Sequence, residues 1–150
     1  MSAKQKYRME QDWCNDYVGI PFIEHGRGPN GVDCYGLVRL VLMECCDIVI
    51  PSFVEEYTSV DQRDLLSVKI LQEASDTEIW VPVLKGQEKP FDVMVVRMLN
   101  TPSHVGMVVR KGLLLHCCEG QNSTTVDYRR GEWIQPGKIV GIYRHKNLCR

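Results

Sequence analysis

No apolar run in the 150 residues is long enough to cross a bilayer, so membrane insertion is not expected. The leading segment, Met1 to Asp12, is polar and charged and lacks the apolar stretch of a secretory signal, which predicts synthesis in the cytoplasm. An excess of positive charge is also missing. Eighteen Lys and Arg face nineteen Asp and Glu, for a net charge of −1, and no basic stripe stands out. Nucleic-acid binding by phosphate neutralisation is therefore not expected. There is no internal repeat and no low-complexity tract. The seven cysteines lack the spacing of a disulfide framework, because the number is odd and Cys45-Cys46 and Cys117-Cys118 are adjacent pairs that bridge only with strain. Apart from Cys34 they read as small buried hydrophobes in a reducing compartment. Cys34, His104, His116, Cys117 and Cys118 offer zinc ligands, but no Cys-x-x-Cys pair or His-x-x-x-His helix anchors them. No metal and no other cofactor is expected.

What is present describes an ordinary globular chain, 44% hydrophobic and 25% charged, of a length that suits one domain over residues 1–150. Tyr7 to Tyr17 places Met9, Trp13 and Tyr17 on one face of a short helix. Gly19, Pro21, Gly26, Gly28, Pro29 and Gly31 then crowd into an ordered loop. Asp33 is a good N-cap for the segment Cys34 to Cys46, in which Leu37, Val38, Leu40, Val41 and Leu42 wrap most of the circumference. A helix apolar nearly all round belongs in a core. Ser59-Val60-Asp61-Gln62 has capping-box spacing and predicts a second helix to about Glu73. From Ile79 onward the signal changes to short strands: Trp80-Val81, Phe91 to Met98, His104 to Arg110, Gly112 to Cys118, Thr124 to Tyr128 and Ile139 to Tyr143. Helices first and strands later predict an α+β fold, with an antiparallel sheet packed on the Cys34 helix.

Cys34 falls in the first turn of that helix, where unpaired N–H groups and the macrodipole favour a thiolate over the thiol. The same N–H groups suit an oxyanion hole, and Gly36 leaves room for a close approach by another backbone. Of the four histidines, His25, His104, His116 and His145, two flank one hairpin. A two-residue loop at Lys111-Gly112 would place His104 and His116 on opposite faces. A three-residue loop, Arg110 to Gly112, would put Gly106 across from His116 and His104 across from Cys118, with the histidines as diagonal neighbours on one face. In that register His104 can act as base toward Cys34, and His116 can hold the His104 ring. Glu119 is an alternative for the holding role. His25, in the glycine-rich loop, is a candidate substrate contact, as are Asp33 and Tyr35 on either side of the thiol. Trp133 reads as packing.

Gly19-Ile20-Pro21-Phe22 and Gly31-Val32-Asp33-Cys34-Tyr35-Gly36-Leu37-Val38 resemble the nucleophile segment of the NlpC-type cysteine peptidases, papain-like cell-wall enzymes of bacteria and phages. Phe91-Asp92-Val93-Met94-Val95-Val96 resembles the family's Pro-Gly-Asp strand. Ser103-His104-Val105-Gly106-Met107-Val108-Val109 with Leu114-Leu115-His116 resembles its histidine hairpin. The resemblance implies a papain-like fold and hydrolysis of peptidoglycan stem peptides, commonly beside a D-glutamyl linkage. It also implies Cys34 as nucleophile, His104 as base and His116 as third polar residue. Two positions depart from the pattern: Tyr35 stands where the family usually has a substrate-binding Ser, and Phe22 where it often has Tyr. Tyr35, and a terminal strand like Gly141-Ile142-Tyr143-Arg144, resemble the phage-tail branch. That branch implies delivery on a virion tail, with other tail proteins as partners and action in the periplasm or cell wall. Two alternatives stay open: a structural tail-tip assembly protein with a weak or vestigial site, and an amidase or acyltransferase using the same thiol chemistry.

Overall fold

The computed structural model describes residues 13–53, 72–98 and 101–149, with backbone alone at 101–103. A two-stranded ribbon, β1 (Arg27–Gly28) and β2 (Gly31–Val32), leads directly into helix α1 (Cys34–Cys46). Six strands follow: β3 (Trp80–Pro82), β4 (Val93–Met98), β5 (Thr101–Arg110), β6 (Leu113–His116), β7 (Thr124–Asp127) and β8 (Ile139–His145). They form one sheet in the order β3-β8-β4-β5-β6-β7, antiparallel at every pairing. This is the expected α+β arrangement, with α1 packed chiefly on β5.

Helix α1 forms because both of its ends are specified. Asp33, in extended backbone, accepts the Gly36 N–H through its carboxylate and caps the start. Asp47 adopts a left-handed conformation with φ 56°, and its N–H closes onto the Leu42 carbonyl at the other end. Between the caps only Arg39, Met43 and Glu44 escape full burial, as the all-round apolar pattern requires. Leu37, Leu40, Val41 and Leu42 fill the space between α1 and the sheet with Val93, Val95, Val105, Met107 and Leu115. The other face of the sheet carries a second core of Met94, Val96, Val108, Leu114, Tyr128, Trp133 and Ile142. Strand alternation produces both clusters from the same strands.

Other sequence expectations meet the structure differently. Of the helix expected over Tyr7 to Tyr17, the described part is a 3₁₀ turn, Trp13–Tyr17, which buries Trp13 and Tyr17. Met9 lies outside the described residues. The helix expected from Ser59 also lies outside them, except at 72–74, which are helical.

The histidine hairpin combines features of both alternatives. Its loop is the two-residue one, with Arg110 paired to Leu113. Beyond it a β-bulge at Val109 shifts the register, so that Val108 pairs with Leu114 and Met107 with Leu115. One extra residue on one strand reverses side-chain parity relative to its partner. The bulge therefore does what the three-residue loop was expected to do.

Candidate active site

Cys34 is the first residue of α1 and is 3% exposed. The turn around it is held from below by a buried ion pair. Asp33 Oδ1 accepts from Arg27 Nη1 at 2.8 Å as well as from the Gly36 N–H at 2.8 Å. Arg27 in turn donates to the Ser52 carbonyl from Nη2 at 2.8 Å and from Nε at 3.0 Å, tying the chain beyond the helix back to its start. Gly36 serves a close approach, though not by substrate. A Cβ there would run into the Gly26 carbonyl of the protein's own ribbon.

The two histidines meet on β5 and β6. His104 Nε2 lies 2.9 Å from His116 Nδ1, one of the two nitrogens carrying the shared hydrogen. Both rings are buried, and Trp133 presses edge-on against His116 with centroids 5.6 Å apart. Burial is the main influence on His116 and holds its pKa below the ordinary imidazole value. Glu132 opposes that shift and Lys138 adds to it. Burial therefore favours the neutral form of the His116 ring.

The hairpin and the thiol segment are stitched together at one end of the sheet. The Cys117 thiol, next to His116, points at the Val32 carbonyl at 3.6 Å, two residues before Cys34. Ser123, after β6, accepts the Ile20 N–H at 2.8 Å and hydrogen-bonds the Tyr17 carbonyl, while Gly19 donates to the Ser123 carbonyl. Burial, with Cys118 and Asp33 nearby, pushes the Cys117 thiol up to about 11. Burial beside Cys45 and Asp47 pushes Cys46 up to about 12. Both stay protonated and unreactive at neutral pH.

The candidate substrate contacts occupy different settings. Asp33 has its carboxylate in the cap and ion pair already described. Tyr35 is buried, donates its hydroxyl to the Pro51 carbonyl at 2.7 Å, packs on Phe53 and lies under the Arg27 guanidinium. These are the contacts of a residue that anchors the loop after the helix. His25 is half-buried in the ribbon's approach, with a left-handed φ of 63°.

Sequence reasoning missed Arg27 altogether. The signal that could have found it is a basic residue six positions before a buried N-cap carboxylate. It also missed that Phe91, where the resembling motif has Gly, adopts a left-handed conformation with φ 73°. The ring is held there by stacking on Trp13, centroids 4.6 Å apart.

A family model for NlpC/P60 matches residues 19–141. The chain belongs to the NlpC/P60 family. That family is one of cysteine peptidases and peptidoglycan hydrolases. The fold of the chain is similar to that of the NlpC/P60 domain of the peptidoglycan hydrolase SagA. The TM-score is 0.53 at 20% identity, covering 83% of this chain and 87% of that domain. It is similar too to an NlpC/P60 protein from Bacillus cereus, with TM-score 0.63 and 17% identity over 91% of this chain. NlpC2 from Trichomonas vaginalis aligns with TM-score 0.63 and 18% identity over 97% of this chain. The chain spans 40% of the Bacillus protein and 48% of the Trichomonas one. A search of curated protein sequences gives no match.

Proposed function

We propose that this NlpC/P60 domain hydrolyses peptidoglycan stem peptides, with Cys34 as nucleophile, His104 as base and His116 as its positioning residue. The observation that carries the reading is the His104 Nε2–His116 Nδ1 contact of 2.9 Å. It commits one nitrogen of His104 to a neutral, buried partner and makes Nδ1 the nitrogen that takes the thiol proton. The Cys34 thiolate then adds to the scissile carbonyl, and N–H groups of the first turn of α1 stabilise the oxyanion. His104 gives its proton to the departing amine. Water, activated by the same ring, hydrolyses the thioester and returns the thiol.

The bond cleaved is taken to be the one beside D-glutamate, on the resemblance of the nucleophile segment and the histidine hairpin to this family. The same resemblance, through Tyr35 and Gly141 to Arg144, supports a place on a phage tail, made in the host cytoplasm and acting on the wall with other tail proteins.

Mass spectrometry of stem peptides incubated with reduced protein tests the reading. Fragments from the wild type and none from Cys34→Ala are expected. Cleavage by Cys34→Ala removes the assigned nucleophile. No cleavage by either form, together with co-purification with tail proteins, favours the structural tail-tip role.

A further inference from the structure

Cys118 stands over the histidine pair. Its Sγ lies 3.8 Å from His104 Nε2 and 3.6 Å from His116 Nδ1, and the three atoms form one compact triangle. It is the half-exposed member of the cluster, whereas both histidines are buried, so a solute reaches the triangle from the thiol side.

Those dimensions are close to a tetrahedral zinc site. Zinc bonds of about 2.0–2.1 Å to imidazole nitrogen and about 2.3 Å to thiolate space nitrogen from sulfur by about 3.6 Å, and nitrogen from nitrogen by about 3.3 Å. Both sulfur–nitrogen separations already fit. The 2.9 Å nitrogen pair has to open by about half an ångström, with the rings turning their lone pairs from each other to a shared point. A thiolate and two imidazoles are the donor set of a borderline-soft cation, with the fourth position left to water.

We propose that His104, His116 and Cys118 form an inhibitory site for a thiophilic divalent cation of the Zn²⁺ class. The inhibition rests on the reading of His104 as the base. A cation bound to Nε2 of a neutral imidazole forces the ring hydrogen onto Nδ1. That nitrogen then has no lone pair for the Cys34 proton, and the bond to His116 is broken as well. The Cys118 thiol loses its proton to solvent on binding, so removal by a chelator restores the pair. The device belongs to the place of Cys118, two residues beyond His116, and requires no thiol at Cys34.

Titration of the reduced, metal-free protein with Co²⁺, followed by the near-ultraviolet thiolate-to-metal absorption band, tests the site without using activity. One equivalent should bind to the wild type and to Cys34→Ala with the band present, and the band should be lost in Cys118→Ala. A band that persists in Cys118→Ala, or that disappears in Cys34→Ala, overturns the site. The zinc concentration for half-inhibition of stem-peptide cleavage, each variant referred to its own rate in chelator, should rise at least about tenfold in Cys118→Ala. Equal inhibition of both forms overturns the mechanism. If no form cleaves stem peptides, the functional reading fails while the cobalt titration still decides the site.

Discussion

Each side chain of the proposed triad depends on a different local cause. Cys34 depends on the helix end, His104 on its hydrogen-bonded neighbour, and His116 on burial. Replacing His104 by Ala should lower kcat by about 10²–10⁴-fold, the range of a lost acid–base group. His116→Asn should cost less, because it removes the orientation of the base and not the base. Steady-state kinetics on a defined stem peptide checks both. The lowered pKa of His116 fixes a pH dependence as well. Burial depresses its folded-state value below the unfolded 6.5, so the unfolded chain binds more protons in the window between the two values. His145 is shifted in the same direction, again chiefly by burial. Their contribution to stability is complete above pH 6.5 and is lost as pH falls through the folded-state values. The urea midpoint should therefore drop from pH 7.5 to pH 5, and drop less in His116→Asn. An unchanged slope in that variant removes His116 from the account.

At the scale of elements, the decisive feature is the bulge at Val109. It restores the parity that a two-residue loop would otherwise destroy, and so brings the two imidazoles together. Deleting Val109 removes the extra residue but keeps Val108 opposite Leu114, so His104 and His116 should stay on one face of the hairpin. Stem-peptide cleavage should survive that deletion and be lost in His104→Ala, with circular dichroism checking that the sheet is folded in both variants. The start of α1 is the other sensitive element. A methyl group at Gly36 meets the Gly26 backbone, which cannot move without disturbing the ribbon that carries Arg27. Gly36→Ala should destabilise by about 1–3 kcal/mol, the usual range for overpacking, measured by urea unfolding.

Across the whole molecule, the sheet is tied together by an ion pair between distant parts of the chain. Arg144 on β8 donates from Nε to Asp92 Oδ1 at 2.7 Å and from Nη2 to Oδ2 at 2.8 Å, and Asp92, which precedes β4, is fully buried. Removing one partner strands the other's charge. Arg144→Met should cost about 3–5 kcal/mol. The double variant with Asp92→Asn should recover part of that loss, because the buried charge then goes with its partner. Equilibrium unfolding of the two variants separates the outcomes.

The sequence by itself determined what local chemistry and periodicity control. Asp33 at a helix start, the continuous apolar face of Leu37 to Leu42, the strands after Ile79 and the order of the cysteine and the histidines were all legible. Each rests on capping, burial or alternation within a few residues. The pairing of His104 with His116 was legible only as one of two alternatives, because loop length and bulge position depend on what the flanking strands pack against. The Arg27–Asp33 brace, the anchoring of Tyr35 on Pro51 and the left-handed Phe91 under Trp13 belong to the tertiary structure. So does the seat of Cys118 above the two imidazoles. Their partners come from other elements, and a sequence pattern carries no distance between groups that only folding brings together.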